Sequence, residues 1–111
     1  MPDPLSRTLA ALADPTRRAI LLRLSKGDAT VGELGAPFAL SQPAISKHIK
    51  VLAASGLISR RRAAQTRPCR LERAKLAELD MFMEHFRAVT EGQLDRLETY
   101  LTQIQSEGQT A

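Results

Sequence analysis

Tryptophan is absent from this 111-residue chain, and aromatic residues make up only 4% of it. Its core therefore rests on Leu, Ile and Ala, a composition that suits packed helices better than a β-sandwich. There is one cysteine, Cys69, so no intramolecular disulfide can staple the fold, and a cytoplasmic location is expected. No run of eighteen apolar residues exists, which excludes a membrane-spanning helix and leaves no membrane partner to expect. The opening Met1-Pro2-Asp3-Pro4 has neither a basic stretch nor an apolar one after it, so no secretion signal is expected. Glycine-rich phosphate loops and clusters of metal-ligating residues are also missing, and the two histidines fall on different predicted helices. No enzyme, metal or cofactor is expected from such a set.

Acid is missing from one place in particular. Residues 1–40 hold five Arg/Lys against four Asp/Glu, and residues 74–111 hold three against seven. Between them, residues 41–73 hold eight basic groups and the single acid Glu72. Positive charge confined to about thirty residues is expected where one surface meets a polyanion. A solvated face is the plainer explanation of a charge run, and it fits less well when the flanking segments are neutral and acidic.

Apolar periodicity and capping residues predict one domain over 1–111, mainly α with a small β-hairpin. Leu5, Leu9 and Leu12 form the stripe of a first helix over 5–13. Asp14-Pro15 restarts the chain, Asp14 as N-cap and Pro15 in the first turn, and a second helix runs Thr16 to about Ser25 with Ile20 and Leu24 inward. Thr30 caps a short third helix, Val31 to about Gly35, with Val31 and Leu34 as core contacts. Ser41 caps a fourth, on which Ile45, Ile49 and Leu52 form the buried stripe and which Gly56 ends. The third and fourth helices over 30–55 make a helix-turn-helix. Two strands, Leu57–Arg62 and Arg67–Leu71, joined by Ala63-Ala64-Gln65-Thr66, make a wing over 57–72, although the usual turn glycine is missing. A last helix over 73–105 carries two runs, Leu76, Leu79, Met83 and Phe86, then Leu94, Leu97, Leu101 and Ile104, each at spacings of three, four and three. That seam is too long to bury on so small a domain and calls for a partner helix, with Gly92 as a place where it divides. Residues 106–111 read as a disordered tail.

At 100° per residue the fourth helix turns Pro43, Ser46, Lys47 and Lys50 away from its isoleucines. A face of small polar and cationic residues fits the major groove of duplex DNA: Gln42 and Ser46 are candidates for base edges, Lys47 and Lys50 for phosphate or guanine. The Ser41 hydroxyl and the free amides of the first turn suit a phosphate. His48 lies at the boundary of the buried stripe, where packing beside Ile45 and a DNA contact are both open. On the wing, strand alternation separates Arg60, Arg61, Arg62 and Arg67 onto two faces. Arg62 and Arg67, nearest the tip, are favoured for DNA, with Gln65 and Thr66 placed for sugar or minor groove; a charged edge that discourages strand addition is the alternative.

The stretches LADPTRRAILLRL, VGEL and SQPAISKHIKVLAASGLI resemble the ArsR family of winged-helix repressors, closely over residues 5–72 and in architecture only over 73–105. The resemblance implies a dimeric repressor whose terminal helices pair, with Leu5, Leu9 and Leu12 joining the last helix in the interface. It also implies that the SQPAISKH helix reads an inverted repeat, a pseudo-palindromic operator, with Ser41, Gln42, Pro43, Ala44, Ser46, Lys47 and His48 at the family's recognition positions. Family members that sense metals carry cysteine pairs on the third helix or an Asp-x-His on the last. Here the third helix is Val31-Gly32-Glu33-Leu34-Gly35, and Asp80 is followed by Met81 and Phe82. Asp80, Glu84 and His85 read as solvated polar residues and Cys69 as a buried, inert thiol. The segment Gly35–Leu40 resembles the metal-independent, autorepressing branch. A winged-helix module that serves protein assembly without touching DNA is the alternative reading of the whole.

Overall fold

A computed structural model describes residues 3–62 and 66–109. The chain clusters into two compact units, Met1–Ala77 and Glu78–Ala111. In order it forms α1 (Pro4–Leu12), α2 (Pro15–Leu24), α3 (Val31–Gly35), α4 (Gln42–Ala54), β1 (Ile58–Arg60), β2 (Cys69–Leu71) and α5 (Arg73–Gln109).

Each of the first four helices starts on a side chain that replaces a missing backbone partner. Asp3, Asp14, Thr30 and Ser41 accept from the amides of Ser6, Arg17, Glu33 and Ala44. Thr30 and Glu33 complete a reciprocal capping box. These bonds favour the ionised carboxylates: the Ser6 amide holds Asp3, the Arg17 amide Asp14 and the Thr30 amide Glu33 below the usual carboxylate range.

The first unit closes around Ile20, Leu24, Leu34, Ile45, Ile49, Leu52, Leu57, Ile58, Cys69 and Leu71, all buried. Helix α1 joins this core through Thr8 and Ala11, with Leu12 packed against it, while Leu9 is exposed. The buried Thr8 hydroxyl is satisfied by the Pro4 carbonyl at 3.0 Å. At the end of α4 the Gly56 and Leu57 amides donate to the carbonyls of Ala53 (3.1 Å) and Leu52 (3.2 Å). Closing the helix in this way needs a left-handed residue, and Gly56 supplies it at φ +83°. The reversal delivers Leu57 and Ile58 into the core at the start of β1.

The hairpin is antiparallel, pairing Ile58 with Leu71, Ser59 with Arg70 and Arg60 with Cys69. Its strands are three residues each, shorter than the expected Leu57–Arg62 and Arg67–Leu71. Proline is the reason: the Arg61 amide still donates to the Pro68 carbonyl at 2.9 Å, but Pro68 has no N–H to return. On its other side Cys69 pairs with Ala29, each donating its amide to the other's carbonyl (2.7 and 3.2 Å). The strand β2 is thus held from both edges. Burial pushes the Cys69 thiol above its ordinary pKa, which agrees with an inert thiol.

Helix α5 begins in the first unit, where Leu76 packs against the core, and makes up the second. It runs unbroken through Gly92 and continues to Gln109, so the expected tail is helical as far as the structure describes it. Extending a formed helix adds one hydrogen bond per residue fixed, and Ser106-Glu107 contains nothing that stops it.

Candidate nucleic-acid interface

Helix α4 divides its residues cleanly. Ile45, Ile49 and Leu52 are buried and fasten it to the core. Gln42, Pro43, Lys47 and Lys50 are exposed, as is the cap Ser41, while Ala44 and Ser46 are half-buried at the edge of that face. Helix α3 backs it closely. A Cβ on Gly35 would stand 3.2 Å from Ile45 Cγ1, so the missing side chain lets the two helices approach.

Charge on this face is unopposed. Among the described residues, the side chains of Lys47, Lys50, Arg62 and Arg67 have neither an ion-pair nor a hydrogen-bond partner. The one acid of the basic block, Glu72, is half-buried and accepts from the Ser59 hydroxyl at 2.5 Å. It is occupied behind the wing instead of neutralising it.

Of the four wing arginines only Arg60 lies within a strand, and not all four are available. Arg60 reaches across the hairpin and donates from Nε and Nη2 to the Arg67 carbonyl, at 3.2 and 3.0 Å. Arg61 turns back to Asp28, 3.6 Å away. Arg62 and Arg67 are exposed, and so is Thr66. Gln65 lies outside the described residues, as does the rest of the expected turn over 63–65.

His48 has its own surroundings. It is half-buried, its Nδ1 3.3 Å from Arg17 Nη1 and 3.9 Å from the Asp14 carboxylate. Arg17 in turn donates to the carbonyls of Ala11 (2.7 Å) and Ala10 (3.0 Å), and Arg18 to that of Leu12 (2.7 Å). These guanidiniums close the end of α1, where a helix leaves its last carbonyls short of partners; the Ala10 carbonyl accepts from the Ala13 amide as well. Sequence reasoning missed this cluster. The Asp14-Pro15-Thr16-Arg17-Arg18 run marks a helix start, but nothing local says that its arginines reach back to the preceding helix. His48 is placed by the same cluster, with its ring turned to α2.

A short helix, a turn and a second helix with a cationic outer face, followed by a basic hairpin, define a winged helix-turn-helix, the fold of a DNA-binding protein. Residues 12–61 match the helix-turn-helix domain family. The chain is 43% identical over 86 residues to the HTH-type transcriptional regulator Rv2034 of Mycobacterium tuberculosis, covering 76% of this chain and 80% of that one. It is 39% identical over 61 residues to the transcriptional repressor SdpR of Bacillus subtilis, covering 55% and 68%. Among solved structures, the ArsR family transcriptional regulator RHA00566 superposes with a TM-score of 0.75 at 38% identity, over 80% of this chain and 98% of that one. The chain belongs to the ArsR family of winged helix-turn-helix transcriptional regulators.

Proposed function

We propose that this regulator is a cytoplasmic repressor that binds an inverted-repeat operator in duplex DNA as a homodimer, laying α4 in the major groove and the wing against the flanking backbone. One observation carries the reading: Lys47 and Lys50, exposed and without a partner among the described residues, stand on a helix anchored from behind by Ile45, Ile49 and Leu52. Such a rod meets the groove without first breaking any interaction of its own.

The residues divide by task. Gln42 and Ser46, at the start of α4, read base edges. Lys47 and Lys50 hold phosphates or guanine, and the Ser41 cap with Pro43 and Ala44 brings the first turn close to the sugar-phosphate chain. Arg62 and Arg67, with Gln65 and Thr66, contact the backbone or minor groove from the wing. His48, with Nδ1 engaged by α2, retains its Nε2 edge for DNA.

Dimerisation accounts for α5. Met83, Phe86, Leu94, Leu97, Leu101 and Ile104 are all exposed, and Leu79 is half-buried. An apolar stripe of this length on so small a chain calls for a partner surface; of the α1 leucines also expected in the interface, Leu9 is exposed and Leu5 half-buried, whereas Leu12 packs against its own core. Repression is favoured by the likeness to SdpR, a transcriptional repressor; a dimer seated over a promoter excludes polymerase.

A gel shift tests the reading. The duplex of the chain's own promoter region is expected to shift, to resist excess single-stranded RNA as competitor and to weaken steeply with salt. Failure to retard any duplex at low salt would leave the protein-assembly reading of the winged helix in its place.

A further inference from the structure

One side chain of α2 reaches α4 from the side, away from the cationic outer face. Arg17 is half-buried, and two of its three nitrogens are committed to α1: Nε donates to the Ala11 carbonyl at 2.7 Å and Nη2 to that of Ala10 at 3.0 Å. A planar guanidinium held at two points fixes where its third nitrogen lies. That nitrogen, Nη1, stands 3.3 Å from Nδ1 of His48. The Asp14 carboxylate also faces the ring, 3.9 Å from the same Nδ1, and already accepts from the Arg17 amide at 3.0 Å. Distance decides between the two: 3.3 Å is within reach of a hydrogen bond and 3.9 Å is not. Because a guanidinium can only donate, Nδ1 of the neutral ring accepts, and the ring proton is left on Nε2.

Nε2 itself has no partner among the described residues. No buried side-chain nitrogen there is left unsatisfied, so this atom of the half-buried ring is open to solvent. We infer that Arg17 is a positioning residue for DNA binding: it holds His48 as a neutral donor whose Nε2–H meets a phosphate oxygen of the duplex. This rests on the DNA-binding reading above, and adds the protonation form of one contact, the residue that sets it and the group it meets. Position favours phosphate over a base. At 100° per residue His48 lies about 100° round α4 from Lys47, on the flank turned toward α2. A side chain there meets the wall of the groove, which is sugar and phosphate, and not its floor.

Two measurements on the full chain test this. Long-range proton–nitrogen NMR in mildly alkaline buffer is expected to show the His48 proton on Nε2 in the wild type. The same spectra of Arg17→Met are expected to show Nδ1 gaining a proton toward Asp14, with His85 identified by its persistence in His48→Ala. In gel shifts, His48→Ala is expected to weaken every duplex alike, about tenfold or more. The slope of log affinity against log salt should stay unchanged, because no cation is lost. His48→Gln places an amide donor as many bonds from Cβ as Nε2 and is expected to bind as the wild type does. Arg17→Met is expected to weaken binding by itself but not on top of His48→Gln. A lost fold, or a phosphate contact made by Arg17 itself, would weaken both backgrounds equally. A wild-type ring protonated on Nδ1, a salt slope that falls by about one in His48→Ala, a loss confined to one base pair, or an equal cost of Arg17→Met in both backgrounds overturns the assignment while DNA binding stands. A wild type that retards no duplex removes the DNA-binding reading and this one with it.

Discussion

Lys47 and Lys50 differ from two of the wing arginines in what binding would cost them. Arg60 and Arg61 are already engaged, with the Arg67 carbonyl and with Asp28, whereas the two lysines meet solvent. Replacing Lys50 with Ala is therefore expected to weaken every duplex alike and to lower the slope of log affinity against log salt by about one. Gln42→Ala is expected to relax preference at one base pair, at a cost of about 1–3 kcal/mol, with little change in that slope. Identical behaviour of the two variants, measured by salt titration over a set of single-base operator changes, would refute the division between positioning and reading roles. A second expectation concerns Asp14. The Arg17 amide, followed by the charges of His48 and Arg17, holds its carboxyl below the ordinary range. Its stabilising effect is present above the pKa it has in the unfolded chain and is lost as pH falls through the lower, folded value. Thermal midpoints of the wild type should drop through the acid carboxylate range, and those of Asp14→Asn should drop less over that interval. The outward placement of Lys47 and Lys50 is legible in the sequence because helical angle alone decides it. The engagement of Arg17 with α1 and of His48 with α2 is not, because each depends on where a different helix ends.

At the scale of elements, termini and turns decide the outcome more than propensity does. Gly56 holds φ at +83° to return the chain from α4 into the core. Gly56→Ala should cost about 1–2 kcal/mol in urea unfolding through backbone strain, since the nearest atom to the new Cβ, on the Lys75 side chain, is at 3.5 Å and leaves it room. An unchanged midpoint would show that the left-handed residue is not what ends the helix. Leu52→Ala, at a position with no solvent exposure, should cost roughly 2–5 kcal/mol by opening a cavity behind the recognition face. All five helices are legible from spacing and caps, because those signals are local. The hairpin is legible in place but not in length. Alternating residues over Leu57–Arg62 suggest a longer ladder than Pro68 permits, and the pairing of Ala29 with Cys69 joins segments forty residues apart that share no pattern. The end of α5 escapes the sequence for the opposite reason: a polar composition argues for a tail, yet nothing in it breaks the helix before Gln109.

For the whole molecule, the asymmetry of charge and the asymmetry of apolar surface divide the work. The eight basic groups of residues 41–73 belong to the unit that holds α4 and the wing, and the acidic segment 74–111 carries most of the exposed large apolar side chains among the described residues. An acidic α5 repels the phosphate backbone, so the DNA face is expected to remain with the basic block. The proposed inverted-repeat operator requires two α4 helices about 34–36 Å apart, one turn of the duplex. Inserting five base pairs between half-sites should then abolish tight binding while leaving weak, salt-sensitive binding to a single half-site. The central claim, that the outer face of α4 and the arginines beside the wing tip are what touch DNA, is tested most directly by following backbone amide resonances while the protein is titrated with its promoter duplex. The account predicts the largest shifts at Ser41–Lys50 and near Arg62 and Arg67, with α2 and the far half of α5 almost unmoved. Shifts concentrated on α5, with α4 silent, would contradict it.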